Sequence, residues 1–79
     1  MKIYDFNGSK NICGTRVKEA RKKLGITQDE LAARLQIEGV NIERDSVSRI
    51  EIGTRFVADY ELLLLSKILK VSPEYLLGL

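Results

Sequence analysis

Four polar side chains, Arg44, Asp45, Ser48 and Arg49, fall within roughly 140° of one another if the chain around them is helical at about 100° per residue. Val47 and Ile50 then point the other way. Glu51 lies beside Val47, near the buried edge. Such a stripe offers two guanidinium forks, a carboxylate and a hydroxyl to one side, which is hydrogen-bonding chemistry without a nucleophile. It is either a solvated face or a surface that reads a polar partner. Other chemistries are poorly supplied. The 79 residues contain no histidine and one cysteine, Cys13. Zinc spacings and an intramolecular disulfide cannot be written, and Ser-His or Cys-His catalysis is excluded. No paired carboxylates accompany a nucleophile, and no glycine-rich phosphate loop occurs, so an enzyme is not expected. Neither a metal nor a cofactor is implied.

The elements that would hold this stripe are marked by caps and glycines. Val17, Ala20 and Leu24 recur at helical spacing, predicting a helix from Thr15 to Leu24 with Gly25 after it. Gly14 and Gly25 read as helix punctuation. Thr27 with Glu30 forms a capping box for a second helix, which carries Leu31, Ala32 and Leu35 inward and ends near Ile37, with Gly39 as its stop. The polar stripe sits on a third helix, about Glu43 to Ile52, closed by Gly53. A fourth runs from about Asp59 to Lys70 with Leu62, Leu65, Ser66 and Leu69 on its core side. Ala58 offers no cap there, and Asp59 is the substitute. Ser72 and Pro73 open a last short helix to Leu77. No β-hairpin signal and no internal repeat appears. The architecture expected is a single all-α domain of five helices over residues 12–79, preceded by an N-terminal arm, residues 1–11. In that arm Ile3, Tyr4 and Phe6 form a short strand, a sticky arm or a tail that packs one aromatic ring on the body, and Asn7-Gly8-Ser9-Lys10-Asn11 is a turn-like cluster.

Charge and hydropathy place limits on partners. Thirteen Lys and Arg against eleven Asp and Glu leave +2, with 44% apolar and 30% charged residues, an ordinary globular composition. The longest apolar run, Leu62 to Leu65, is far below the roughly 20 residues that span a bilayer, and residues 1–6 lack an apolar signal core. A cytoplasmic location is the default expectation, and the unpaired Cys13 fits it.

The stretch Arg21-Lys22-Lys23-Leu24-Gly25-Ile26-Thr27-Gln28-Asp29-Glu30-Leu31-Ala32 resembles the opening of the phage repressor-type helix-turn-helix family, the lambda-repressor-like or XRE class. Val47-Ser48-Arg49-Ile50-Glu51-Ile52-Gly53-Thr54-Arg55 resembles that family's recognition helix and its exit. Leu62 through Leu77, including Val71-Ser72-Pro73-Glu74-Tyr75-Leu76-Leu77, is similar to its fourth and fifth helices. The resemblance implies sequence-specific binding of double-stranded DNA by a transcriptional regulator of repressor type. It implies base contacts from Arg44, Asp45, Ser48 and Arg49, arginine being suited to guanine O6 and N7 and Asp45 to cytosine N4. It implies phosphate contacts from Thr27, Gln28, Ser46 and Arg55, and a partly buried ion pair, Arg21 with Glu51, that ties the first helix to the third. One reading head covers few base pairs, so a homodimer on a palindromic site is expected. The surplus apolar residues Leu63, Leu64, Ile68, Tyr75, Leu77 and Leu79 either form that dimer surface or finish the core.

Two departures from the family pattern stand out, the longer connection between the second and third helices and Ala58, where the family more often has a serine cap. The connection from Leu35 to Ser46 is about five residues longer than the family's tight turn, which lengthens the second helix or loosens the turn. Between Thr15 and Arg55, nine basic and seven acidic residues leave only +2, so non-specific attraction to DNA is modest and geometry must supply selectivity. Asp45 would repel phosphate unless it pairs with Arg49 or reads a base. A second function class therefore stays open, a protein-interaction module on the same scaffold, antitoxin-like or peptide-sensing, with Ile3, Tyr4 and Phe6 as its contact.

Overall fold

The computed structural model describes residues 6–79. Five helices follow in order: α1 Gly14–Leu24, α2 Gln28–Ile37, α3 Arg44–Ile52, α4 Asp59–Leu69 and α5 Pro73–Leu77. The expected all-α class holds, and three helix ends differ from the sequence reading by one residue. Helix α3 packs on α1 and α2, α4 packs across the same pair, and α5 closes the far side against α4 and α1. Their inward stripes meet in one core, with Val17 and Ala20 from α1, Leu31 and Leu35 from α2, Val47 and Ile50 from α3, Leu65 and Leu69 from α4, and Leu76 from α5. Cys13 belongs to this core, and burial pushes its thiol pKa up, which disfavours the thiolate. Among the described residues no helix is long and apolar enough to cross a membrane.

The helix ends explain why the helices start and stop where they do. At α2 the capping box forms as predicted: Thr27 Oγ1 accepts from the Glu30 N–H at 3.1 Å, and Glu30 Oε1 accepts from the Thr27 N–H at 2.8 Å. Those bonds from Thr27 also hold the Glu30 carboxyl below the usual carboxylate range. Helix α5 starts on Ser72, whose hydroxyl accepts from the Tyr75 N–H, with Pro73 in the first turn. At α4 the expectation needs correction. Asp59 does not cap; Ala58 is the N-cap, and Glu61 reaches back to accept from its N–H at 3.0 Å. Each of α1, α3 and α5 ends on a glycine in the left-handed conformation, α2 ends on Glu38 with left-handed Gly39 after it, and α4 ends on Lys70 at φ 61°.

The long connection between α2 and α3 is neither a loose turn nor an extension of α2 beyond Ile37. Its Val40 and Ile42 are buried in the core, each stabilising the fold by about 1.5–3 kcal/mol. The Val40 N–H donates to the Leu35 carbonyl at 3.0 Å, and Gln36 Nε2 donates to the Ile42 carbonyl at 2.6 Å. The extra residues are thus a third wall of the core that seats α3.

Ahead of α1, no strand forms among the described residues, and the expected turn lies at Asn7 and Gly8. Asn7 and Gly8 both have positive φ, 52° and 82°, and Phe6 and Ser9 exchange two backbone hydrogen bonds of 2.6 and 3.0 Å. This is the two-residue turn that an Asn-Gly pair favours, reduced to a single bridge. Phe6 remains 62% exposed rather than packed on the body. Ile3 and Tyr4 lie outside the described residues.

Candidate nucleic-acid interface

Helix α3 presents the polar stripe outward because its opposite face is fully engaged. Val47 and Ile50 are each 1% exposed, whereas Arg44, Asp45 and Arg49 are exposed and Ser46 and Ser48 half-buried. Among the described residues Asp45 forms no ion pair with Arg49. Internal pairing therefore does not neutralise it, and its carboxylate stands free on the same face as the two arginines.

The start of α2 lies next to the start of α3. Gly25, Thr27, Gln28, Asp29 and Arg44 surround one open depression of about 410 Å³. The structure thereby brings Thr27 and Gln28 together with Arg44. In the capping box Thr27 donates its N–H and its hydroxyl oxygen accepts, which leaves the hydroxyl proton to donate outward. The N–H groups of Gln28 and Asp29, in the first turn, have no partner within the helix and present an electropositive end.

Below that depression is the ion pair. Arg21 Nε donates to Glu51 Oε2 at 2.6 Å and Nη2 to Oε1 at 3.1 Å, while Nη1 donates to the Ile26 carbonyl at 3.0 Å. The side chains are 11% and 1% exposed. Hydrogen bonding to Glu51 raises the Arg21 pKa further, so the cation is permanent. Gln28 Nε2 donates to Glu51 Oε1 at 3.0 Å. Residues from α1, α2 and α3 thus converge on one buried carboxylate, and this fixes the angle between the helices. Gln28 reaches the protein interior with its side chain and the outer surface with its backbone N–H.

Arg55 is arranged differently from the other expected phosphate residues. Its Nη1 and Nη2 donate to Glu61 Oε1 and Oε2 at 2.9 and 3.2 Å, and Nη1 also donates to the Phe56 carbonyl at 2.9 Å. Nε–H and one Nη2–H remain for an outside partner. Burial pushes the Glu61 carboxyl up, but the Arg55 fork and the Ala58 N–H outweigh it and hold its pKa below the usual range. Glu61 therefore orients Arg55 as an ionised group.

Two residues that position this surface escaped the sequence reading. Gly14 is more than punctuation: a Cβ there would collide with the Ile50 carbonyl oxygen and approach that of Glu51 to 3.0 Å. Only glycine lets the start of α1 rest on the last turn of α3. Asn11 bonds across to the same turn. The one cue for Asn11 was its residue type, common before a helix, and nothing local marks Gly14 as a contact point.

The surplus apolar residues divide. Leu64, Ile68 and Tyr75 pack partly buried against the core, whereas Leu63, Leu77 and Leu79 are exposed. Near Leu77 a groove of about 620 Å³ is lined by Ile12, Phe56, Val57 and Leu62.

This arrangement has counterparts among known proteins. The helix-turn-helix family model matches residues 17–76, from α1 into α5. The HTH-type transcriptional regulator ImmR of Bacillus subtilis (strain 168) is 43% identical over 65 residues, covering 82% of this chain and 47% of that regulator. The chain thus spans about half the length of this relative. The P22 c2 repressor protein, solved in complex with a synthetic operator, superposes with a TM-score of 0.70 at 34% identity, over 85% of this chain and 94% of that one. The restriction-modification controller protein C.AhdI from Aeromonas hydrophila gives a TM-score of 0.70 at 30% identity, over 81% and 86% of the two chains. Sequence and backbone agree along nearly the whole of the five-helix body, and the chain belongs to the helix-turn-helix family.

Proposed function

We propose that this chain binds double-stranded DNA sequence-specifically and acts as a transcriptional regulator of repressor type in the cytoplasm, a binding rather than a catalytic role. The observation that carries this reading is the outward face of α3, where Arg44, Asp45 and Arg49 stand exposed above a rigid, ion-paired base. The likeness to an operator-bound repressor and the identity with a transcriptional regulator support it. In this reading α3 lies in the major groove, Arg44 and Arg49 contact guanine edges, Asp45 accepts from cytosine, and Ser48 approaches a base edge closely. Phosphates are held by the start of α2, through the Gln28 backbone and Thr27, by Ser46, and by the free N–H groups of Arg55. A homodimer places two such helices about 34–36 Å apart on a palindrome. Leu63 and Leu77 belong to its interface, with Leu64, Ile68 and Tyr75 supporting them from beneath.

Selection of bound duplexes from random DNA at moderate salt tests the reading. A two-fold symmetric motif is expected, and Arg44→Ala and Arg49→Ala are each expected to lose about 1–3 kcal/mol on the selected site while relaxing specificity at one position. Failure to enrich any motif refutes the proposal.

A further inference from the structure

The side-chain amide of Asn11 is bonded on every side. Its Oδ1 accepts from the Gly14 N–H at 2.8 Å and from the Cys13 thiol at 3.8 Å, and its Nδ2 donates to the Ile50 carbonyl at 3.1 Å and the Arg55 carbonyl at 2.8 Å. The orientation of the amide is unambiguous, because two carbonyls face the nitrogen and one N–H faces the oxygen. These partners lie at the start of α1, in the last turn of α3 and in the loop that leads to α4. Immediately before Asn11, the Lys10 N–H donates to the Gly53 carbonyl at 2.8 Å, and Ser9 Oγ donates to the same oxygen at 3.4 Å. The last carbonyls of a helix have no partner within it. Here those of α3 and its following loop are gripped from outside by three consecutive residues, while Gly14 closes the backbone contact beside them. Helix α3 has only nine residues. A rotation of its end would carry Arg49, in its last turn, and Arg55, in the loop, away from any fixed docking geometry.

We propose that Asn11 is a positioning residue for DNA readout: it locks the Arg55 loop to the end of α3, so that Arg49 and Arg55 meet the duplex in one geometry, without touching DNA itself. The proposal rests on the DNA-binding reading above. It separates from simple helix capping through Asn11→Ser. Serine retains an acceptor for the Gly14 N–H but cannot donate to both distant carbonyls. Binding of the wild-type chain and of the Asn11→Ser chain to the duplex selected by the wild type is measured over a range of salt concentrations where both are folded by circular dichroism. The expected loss is on the order of tenfold, with a salt slope shallower by about one, because the Arg55 phosphate contact goes. In an Arg55→Ala background, the further loss from Asn11→Ser is expected to shrink to the part that passes through Arg49. Wild-type affinity and slope in Asn11→Ser overturn the proposal, as does a loss that simply adds to that of Arg55→Ala. If the wild-type chain itself selects no duplex, the DNA-binding reading falls, and with it the role assigned to Asn11.

Discussion

Removing one partner of the Arg21–Glu51 pair while keeping the other should take a large share of the domain's stability. Arg21 makes three hydrogen bonds of 2.6–3.1 Å, two to Glu51 and one to the Ile26 carbonyl, and the Glu51 side chain is almost fully enclosed. In Arg21→Met the Glu51 carboxylate retains only the Gln28 amide as a side-chain donor. A buried charge stripped of its partner costs about 3–5 kcal/mol. A domain of this length has a total stability of about 4–12 kcal/mol, so the loss takes about a quarter of it at the least. Urea titration followed by circular dichroism at 222 nm measures the change. The double replacement Arg21→Met with Glu51→Leu removes both charges and restores apolar volume, so most of the loss should return. The cycle should show a coupling of several kcal/mol. An Arg21→Met chain that loses less than about 1 kcal/mol would mean that solvent reaches the pair, and the reasoning from burial would be wrong.

Further expectations follow from the helix ends. Gly14→Ala should destabilise by about 1–3 kcal/mol despite the better helix propensity of alanine, because the added methyl meets the Ile50 carbonyl; a gain in urea midpoint would contradict this. Lys70→Gly should stabilise by about 0.5–1 kcal/mol by relieving a left-handed residue at the end of α4, and an unchanged thermal midpoint counts against it. Glu61 has a lowered carboxyl pKa, so its contribution is present above about pH 4.3 and is lost as pH falls through the lower folded-state value. Stability measured from about pH 6 to about pH 3 should therefore fall less steeply in Glu61→Gln than in the wild type.

The helices were legible because their signals are local. Thr27 with Glu30 and Ser72 with Pro73 give starts, and glycines give stops, within a few residues of each boundary. The start of α4 was placed at Asp59, where it lies, but its cap was misassigned because the capping group comes from Glu61, inside the helix, with no hydroxyl or carboxylate at Ala58 to announce it. The role of Val40 and Ile42 was hidden for a different reason. An insertion relative to a family pattern looks like slack, and only packing shows that two of its residues fill the core.

Residue order alone was enough to specify five helices, the polar face of α3 and the family to which they belong, since periodicity and caps act over a turn or two of chain. The fit of α1 on α3 through Gly14, the grip of Asn11 on carbonyls 39 and 44 residues away, and the turning of Arg55 toward Glu61 required the folded chain. Those interactions join backbone atoms, or side chains from separate elements, and a carbonyl oxygen carries no residue type by which a sequence could reveal it.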